Sequence, residues 1–199
     1  SMLRRAVRHA ADDTFNTMAI DNDMSTNDMV LCLANGLARN PTITKIGKDY
    51  WMFREALEEV MRYIAHEMVK DGEGVTHVCH LRLSGAKTPT DAERVARQIA
   101  NSMLFKTMLA GSNPNWGRIA AAVGASGVDF NPNHLSISFG DAEVLHQGKL
   151  RVLNIPKARR ILQKKEYSIF VKIGKGRGRA DFITSDLTTK YVLINAAYS

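Results

Sequence analysis

The chain has 199 residues, 45% of them hydrophobic and 24% charged, ordinary globular usage that excludes a disordered or collagen-like polypeptide. No stretch reaches the ~20 apolar residues of a membrane-spanning helix, and two cysteines, Cys32 and Cys79, are too few for a disulfide framework, so both are expected to be free thiols of a soluble chain from a reducing compartment. Lys and Arg total 27 against 20 Asp and Glu, a net charge of +7 that suits nucleic acid, carboxylate-bearing substrates or an acidic partner chain alike.

Residues 3–13 read as a short helix with Leu3, Val7, Ala10 and Ala11 on one side, and residues 15–20 as a strand. The polar run Asp21-Asn22-Asp23-Met24-Ser25-Thr26-Asn27-Asp28 is rich in N-capping side chains. The apolar Met29-Val30-Leu31-Cys32-Leu33-Ala34 behind it predicts a buried helix that stops at Asn35-Gly36. The clearest helix covers 51–70, where Phe53, Leu57, Val60, Met61, Ile64, Ala65 and Met68 recur at helical spacing. A strand at 75–83 closes at Ser84-Gly85-Ala86, followed by a helix at 91–104, a turn at Asn113-Pro114-Asn115-Trp116-Gly117 and a small-residue helix at 118–123. Further strands are predicted at 135–139, 142–145, 168–173, 180–183 and 191–194, with a helix at 156–163 among them. Gly174-Lys175-Gly176-Arg177-Gly178-Arg179 reads as a hairpin turn, because it lacks the Gly-Lys-Ser/Thr of a Walker loop and has no following helix for a dinucleotide fingerprint. Mixed strands and helices place the chain in the α/β class, a mixed-sheet sandwich with a boundary near Gly74.

Three stretches invite a chemical reading. His77-Val78-Cys79-His80 would turn His77 and Cys79 to one side of a strand and His80 to the other, and no paired Cys-x-x-Cys or His-Glu-x-x-His supports it, so no metal is expected. Asp71-Gly72-Glu73-Gly74 sets a carboxylate just past a long helix, facing the negative end of its macrodipole. Spacing leaves two readings there, a functional carboxylate or a glycine cap beside a surface Glu. Gly111-Ser112-Asn113-Pro114-Asn115-Trp116-Gly117-Arg118 is either a structural turn anchored by its Trp or a helix start that holds a carboxylate through backbone N–H groups and Arg118.

Taken together, Thr14-Phe15-Asn16, the 21–28 run, Leu33-Ala34-Asn35-Gly36, Asp71-Gly72-Glu73-Gly74, Lys106-Thr107, Asn113 to Arg118, Asp186-Leu187-Thr188, Tyr191-Val192-x-Ile194-Asn195 and Tyr198 occur in the order of one known family. The chain resembles the β chain of ornithine acetyltransferase, the glutamate N-acetyltransferase of arginine biosynthesis. The resemblance implies an α/β sandwich of that type, with residues 1–74 belonging to an active-site domain completed by an α chain and 75–199 forming a smaller C-terminal α+β domain. It implies a precursor that cuts itself into α and β chains, and a ping-pong exchange in which the new N-terminal Thr carries the acetyl group from N-acetylornithine to glutamate. No cofactor is implied, although acetyl-CoA serves some members as co-substrate. The αβ pair is expected to oligomerise further, in the cytoplasm of a bacterium or the mitochondrial matrix of a eukaryote, without membrane or nucleic acid.

Matched by position, Glu73, Asn195 and Ser199 fall on substrate-binding sites, Ser199 where the family usually ends in Thr, and Thr26, Asn27 and Asp28 fall near the site. Family β chains begin Thr-Met-Leu and run through a strand before the first helix. Here Ser1-Met2 abuts the helix, so it reads as a trimmed start, no residue matches the nucleophilic Thr, and Ser1 is not expected to replace it. The basic 174–179 segment also departs from the family, which is often acidic there. Two other readings stand beside this one: a nucleic-acid-binding module using the basic residues of 157–179, and a relative that keeps the fold without the chemistry.

Overall fold

The computed structural model describes residues 1–197, which fall into one unit of residues 1–18 with 23–67 and a second of residues 19–22 with those from 68 onward. Among these residues no helix is long and apolar enough to cross a membrane.

The first unit holds helix α1 (Met2–Asp12) and most of α2 (Lys48–Lys70). Ser1 caps α1, its Oγ accepting from the Arg4 N–H at 3.4 Å, and α1 buries Ala6 and Ala10. The strand expected at 15–20 shrinks to β1 (Met18–Ala19), because Phe15–Thr17 wind into a 3-10 turn in which the Thr17 hydroxyl donates to the Thr14 carbonyl at 2.9 Å. The buried helix expected from Met29 is absent. Residues 23–47 contain no helix or strand, and Met24, Leu33 and Leu37 are 96%, 91% and 77% exposed. Six apolar residues are too short a helix to hold itself in water, and one forms only where a surface covers it. The stripe expected to be buried along α2 divides in the same way: Met61, Ala65 and Val69 are buried, whereas Phe53, Val60, Ile64 and Met68 face solvent.

A seven-stranded mixed sheet organises the second unit, in the order β1, β7, β2, β6, β3, β4, β5. Central β2 (Val78–Ala86) pairs parallel with β6 (Glu166–Lys172) and antiparallel with β7 (Gly178–Ser185). β3 (Ser136–Phe139), β4 (Ala142–His146) and β5 (Lys149–Leu150) extend the far side. Alternation sends Leu81, Leu83, Ile137, Phe139, Ile169 and Val171 into one core with Val95, Ile99, Phe105, Leu109, Ile119 and Leu162 of the helices. Those helices are α3 (Pro89–Ala100), α4 (Met103–Ala110), α5 (Trp116–Ala125) and α6 (Ile155–Leu162). Cys79 is buried in this core and Cys32 is partly exposed; both are free, and burial pushes the Cys79 thiol pKa well up.

Three further expectations are corrected. The single helix at 91–104 is broken, because the Ser102 hydroxyl caps a new helix by accepting from the Phe105 N–H at 3.3 Å. The strand expected at 191–194 is helix α7 (Thr189–Ala196), whose half-buried residues Tyr191 and Ile194 lie three apart while Val192 and Leu193 are exposed. Residues 174–179 are not a hairpin turn, since β6 and β7 flank β2 instead of pairing with each other. The connection crosses the end of β2, with the Ile173 N–H donating to the Ser84 carbonyl at 3.0 Å and the Gly176 N–H to the Gly85 carbonyl at 3.1 Å. Glycine is required by this backbone-on-backbone contact: a Cβ on Gly176 would lie 1.9 Å from the Ala86 carbonyl oxygen. Gly176→Ala is therefore expected to cost about 2 kcal/mol or more and to lower the thermal midpoint by roughly 4–8 °C. A melt indistinguishable from the parent chain would show that the crossing is loosely packed.

Candidate functional site

Residues 71–75 leave the end of α2 and lie against the first turn of α7. A Cβ on Gly72 would meet the Val75 side chain at 2.9 Å, and Gly74, with φ +70°, sits where a Cβ would be 2.7 Å from the Tyr191 nitrogen. The Thr188 hydroxyl donates to the Gly74 carbonyl at 2.8 Å. Glu73 is thus presented from a short loop in which Gly74 is demanded by its positive φ and by the Tyr191 backbone.

Across from it stands α7. The Asn195 Nδ2 donates to Glu73 Oε2 at 2.6 Å and to the Tyr191 carbonyl at 3.0 Å, and the Tyr191 hydroxyl donates to Asp21 Oδ2 at 3.0 Å. Glu73 Oε1 and Asn195 Oδ1 have no partner among the described residues. A carboxylate and an amide carbonyl held together with open acceptor positions suit an ammonium group or an amine that must lose a proton.

Beneath this pair lies a buried polar network. The Asp186 carboxylate accepts from the Thr76 N–H (2.9 Å), the Thr76 hydroxyl and the His77 N–H (3.0 Å), and its other close neighbour is His77 Nδ1 at 3.1 Å. Lys106 of α4 is 2% exposed, its Nζ donating to the Ser185 carbonyl at 2.7 Å and the Thr184 hydroxyl at 2.9 Å. Burial lowers the Lys106 pKa to about 8, while the negative charge of Asp186 pulls in the other direction. Asp186 thus ties the end of β7 to the residues just after Glu73, and Lys106 holds that end of β7 from below. Sequence reading assigned neither a role. The available signal was a lysine inside the apolar run Met103-Leu104-Phe105-Lys106-Thr107-Met108-Leu109.

The remaining candidates lie on other elements. Thr26, Asn27 and Asp28 lie in the exposed irregular segment of the first unit, where the Thr26 hydroxyl donates to Asn27 Oδ1 at 3.0 Å and the Asn27 N–H to the Ser25 hydroxyl at 3.1 Å. Ser1 is exposed and caps α1. Ser199 lies outside the described residues. His77 and His80 go to different carboxylates, His80 Nε2 lying 2.6 Å from Glu166. Arg118 is engaged inside the fold, with Nη1 donating to the Leu104 carbonyl at 2.9 Å and the Thr107 hydroxyl at 3.1 Å, which favours the structural reading of the turn before it.

A family model described as the ArgJ family matches residues 1–199. The chain belongs to the ArgJ family. It is 40% identical over 196 residues to the arginine biosynthesis bifunctional protein ArgJ of Symbiobacterium thermophilum, an alignment covering 98% of this chain and 49% of that protein. With the glutamate N-acetyltransferase of Methanopyrus kandleri it shares 43% identity over 201 residues, 98% of this chain and 51% of that one. The crystal structure of ArgJ from Bacillus halodurans superposes with a TM-score of 0.93 at 36% identity, covering 99% of this chain and 93% of the solved chain. This ArgJ-family chain therefore spans about half the length of the curated relatives it matches, yet nearly all of a solved ArgJ chain.

Proposed function

We propose that this chain is the β-chain portion of an N-acetyltransferase that moves the acetyl group of N-acetylornithine to glutamate. The observation that carries the reading is the 2.6 Å bond between Asn195 and Glu73, which joins two residues 122 positions apart that the resemblance assigns to substrate binding. In the first half-reaction a threonine hydroxyl attacks the amide. The acetyl C–N bond breaks, an ester forms on the threonine, and ornithine's nitrogen leaves with the proton. In the second half-reaction glutamate's amine loses a proton, attacks the ester and restores the hydroxyl. Glu73 and Asn195 Oδ1 would receive hydrogen bonds from the amino group in each half, with Glu73 as the proton acceptor. Ser1, held as a helix cap on an exposed end, is not assigned the attack.

The two-chain reading is supported by a match that spans half of the long relatives but 93% of a solved chain. It is supported too by exposed Met29, Leu31, Leu33, Leu37, Val60 and Ile64, an apolar surface of the kind a partner covers. The test is expression of the whole precursor, which supplies both the α portion and the nucleophilic Thr. A stable heteromer that transfers acetyl from N-acetylornithine to glutamate is expected, with activity toward acetyl-CoA distinguishing bifunctional from monofunctional enzymes. Alone, the chain is expected to self-associate and bind a hydrophobic dye, and both properties should disappear in the heteromer. A monomeric, dye-negative chain that forms no heteromer would overturn the proposal.

A further inference from the structure

The face of the sheet opposite the helices carries a cavity of about 600 Å³, within the range of small-molecule sites. Strand register builds its floor in two rows. One runs Asp181, Arg82, Phe170, Ser138 and Glu143 across β7, β2, β6, β3 and β4; the next runs Arg179, Ser84, Lys172 and Ser136. Neighbouring strands are about 4.8 Å apart, so the backbones of Arg179 and Lys172 stand roughly 10 Å apart on either side of a serine. Lys175, from the connection that crosses the end of β2, lines the same cavity.

What sets these cations apart is that they share one cavity: Arg82, Lys172, Lys175 and Arg179 all line it, and none of them forms an ion pair among the described residues. Two carboxylates share the cavity. Glu143 is occupied by His146 at 2.9 Å and Arg151 at 3.5 Å, and Asp181 leaves the four cations in excess. Arg82 lies 5.8 Å above the ring of Phe170, which is 41% exposed on this otherwise polar face. Four converging unpaired cations repel one another until an anion arrives, and an exposed ring beside a guanidinium is a stacking platform.

We propose that this cavity binds a nucleoside di- or triphosphate group, its phosphates between Arg179, Lys172 and Lys175 and its base on the Phe170–Arg82 pair. Free nucleotide and coenzyme A both carry that diphosphate. The site is separate from the Glu73–Asn195 pair, so binding is read directly and does not depend on acetyl transfer.

The experiment is titration of the 199-residue chain with a fluorescent ATP analogue at low salt, followed by displacement with pyrophosphate, ATP and coenzyme A. Saturable binding of one analogue per chain is expected, displaced by pyrophosphate and weakened at least tenfold by Lys172→Ala or Arg179→Ala. Arg159→Ala, an exposed cation outside the cavity, should change nothing, and Phe170→Ala should weaken ATP while leaving pyrophosphate unchanged. Displacement by coenzyme A as strong as that by ATP would support the site and identify a carrier as its ligand; weaker displacement would support free nucleotide. The proposal is overturned if binding does not saturate, if Arg159→Ala costs as much as Lys172→Ala, or if only a single-stranded oligonucleotide binds and pyrophosphate fails to displace it.

Discussion

Glu73→Gln in the assembled αβ enzyme is expected to lower kcat/KM for acetyl transfer by about 10²–10⁴-fold, the usual contribution of a positioned acid–base group. Glutamine keeps the shape and can still accept the bond from Asn195 Nδ2, so the thermal midpoint should stay where it was. Asn195→Asp probes the same contact from the other side. It would set a second carboxylate against Glu73, and like charges at that distance favour keeping one proton. The pH–rate profile should move accordingly, while Asn195→Ala should act chiefly on KM. Near-normal turnover in Glu73→Gln would reduce Glu73 to a surface carboxylate past the end of α2, a position that the helix macrodipole disfavours.

Lys106→Met should destabilise the fold by about 3 kcal/mol, because the Ser185 carbonyl and Thr184 hydroxyl lose their donor inside the core. It should also change how stability depends on pH. The folded-state pKa of Lys106 is lowered to about 8, from 10.5 for a lysine in water. Between those values the unfolded chain holds a proton that the folded chain has released, so the Lys106 contribution to stability rises with pH, starting near pH 8. Below pH 8 both states are protonated and the contribution is flat. Cys79 acts in the opposite sense: its thiol stays protonated in the fold but ionises in the unfolded chain above about pH 9. The interval from pH 8 to 9 therefore isolates Lys106. Urea midpoints should climb there in the parent chain relative to Lys106→Met. A difference that stays level or shrinks would show that the buried ammonium keeps its proton.

Periodicity made α1, α2, α5, α6 and most strands readable, although along α2 it marked the helix without marking which part of its stripe is buried. It failed where burial is decided by distant or absent surfaces. The run 29–34 is apolar, but among the described residues it stays largely exposed, and 191–194 is rich in strand formers, yet its half-buried residues lie three apart. The crossing at 174–179 imitates a hairpin because the strand inserted between β6 and β7 comes from ninety residues earlier (roughly, on the scale of a long loop closure). Within the candidate site, spacing alone left Glu73 with two readings, and no local rule links it to a residue 122 positions away. The family resemblance supplied that link. Lys106 and Asp186 went unassigned because the partners that make their burial tolerable are backbone groups and side chains about 80–110 positions away, which no local pattern connects to them.

The position of β2 between β6 and β7 also governs the order in which this protein can acquire its structure. As the ribosome delivers the chain, β2 emerges first, and both edges of the future central strand stay open while the next eighty residues (roughly) are made. Helices α3 to α5 can form in that interval, but β2 and the β3–β4–β5 strands stay unjoined until β6 is made to sit between them. Closure waits for β6 and then β7, a high-contact-order event that is intrinsically slow. Nascent chains stalled before Gly178 should therefore be captured by chaperones that bind exposed strand edges, whereas chains released after Ser185 should not.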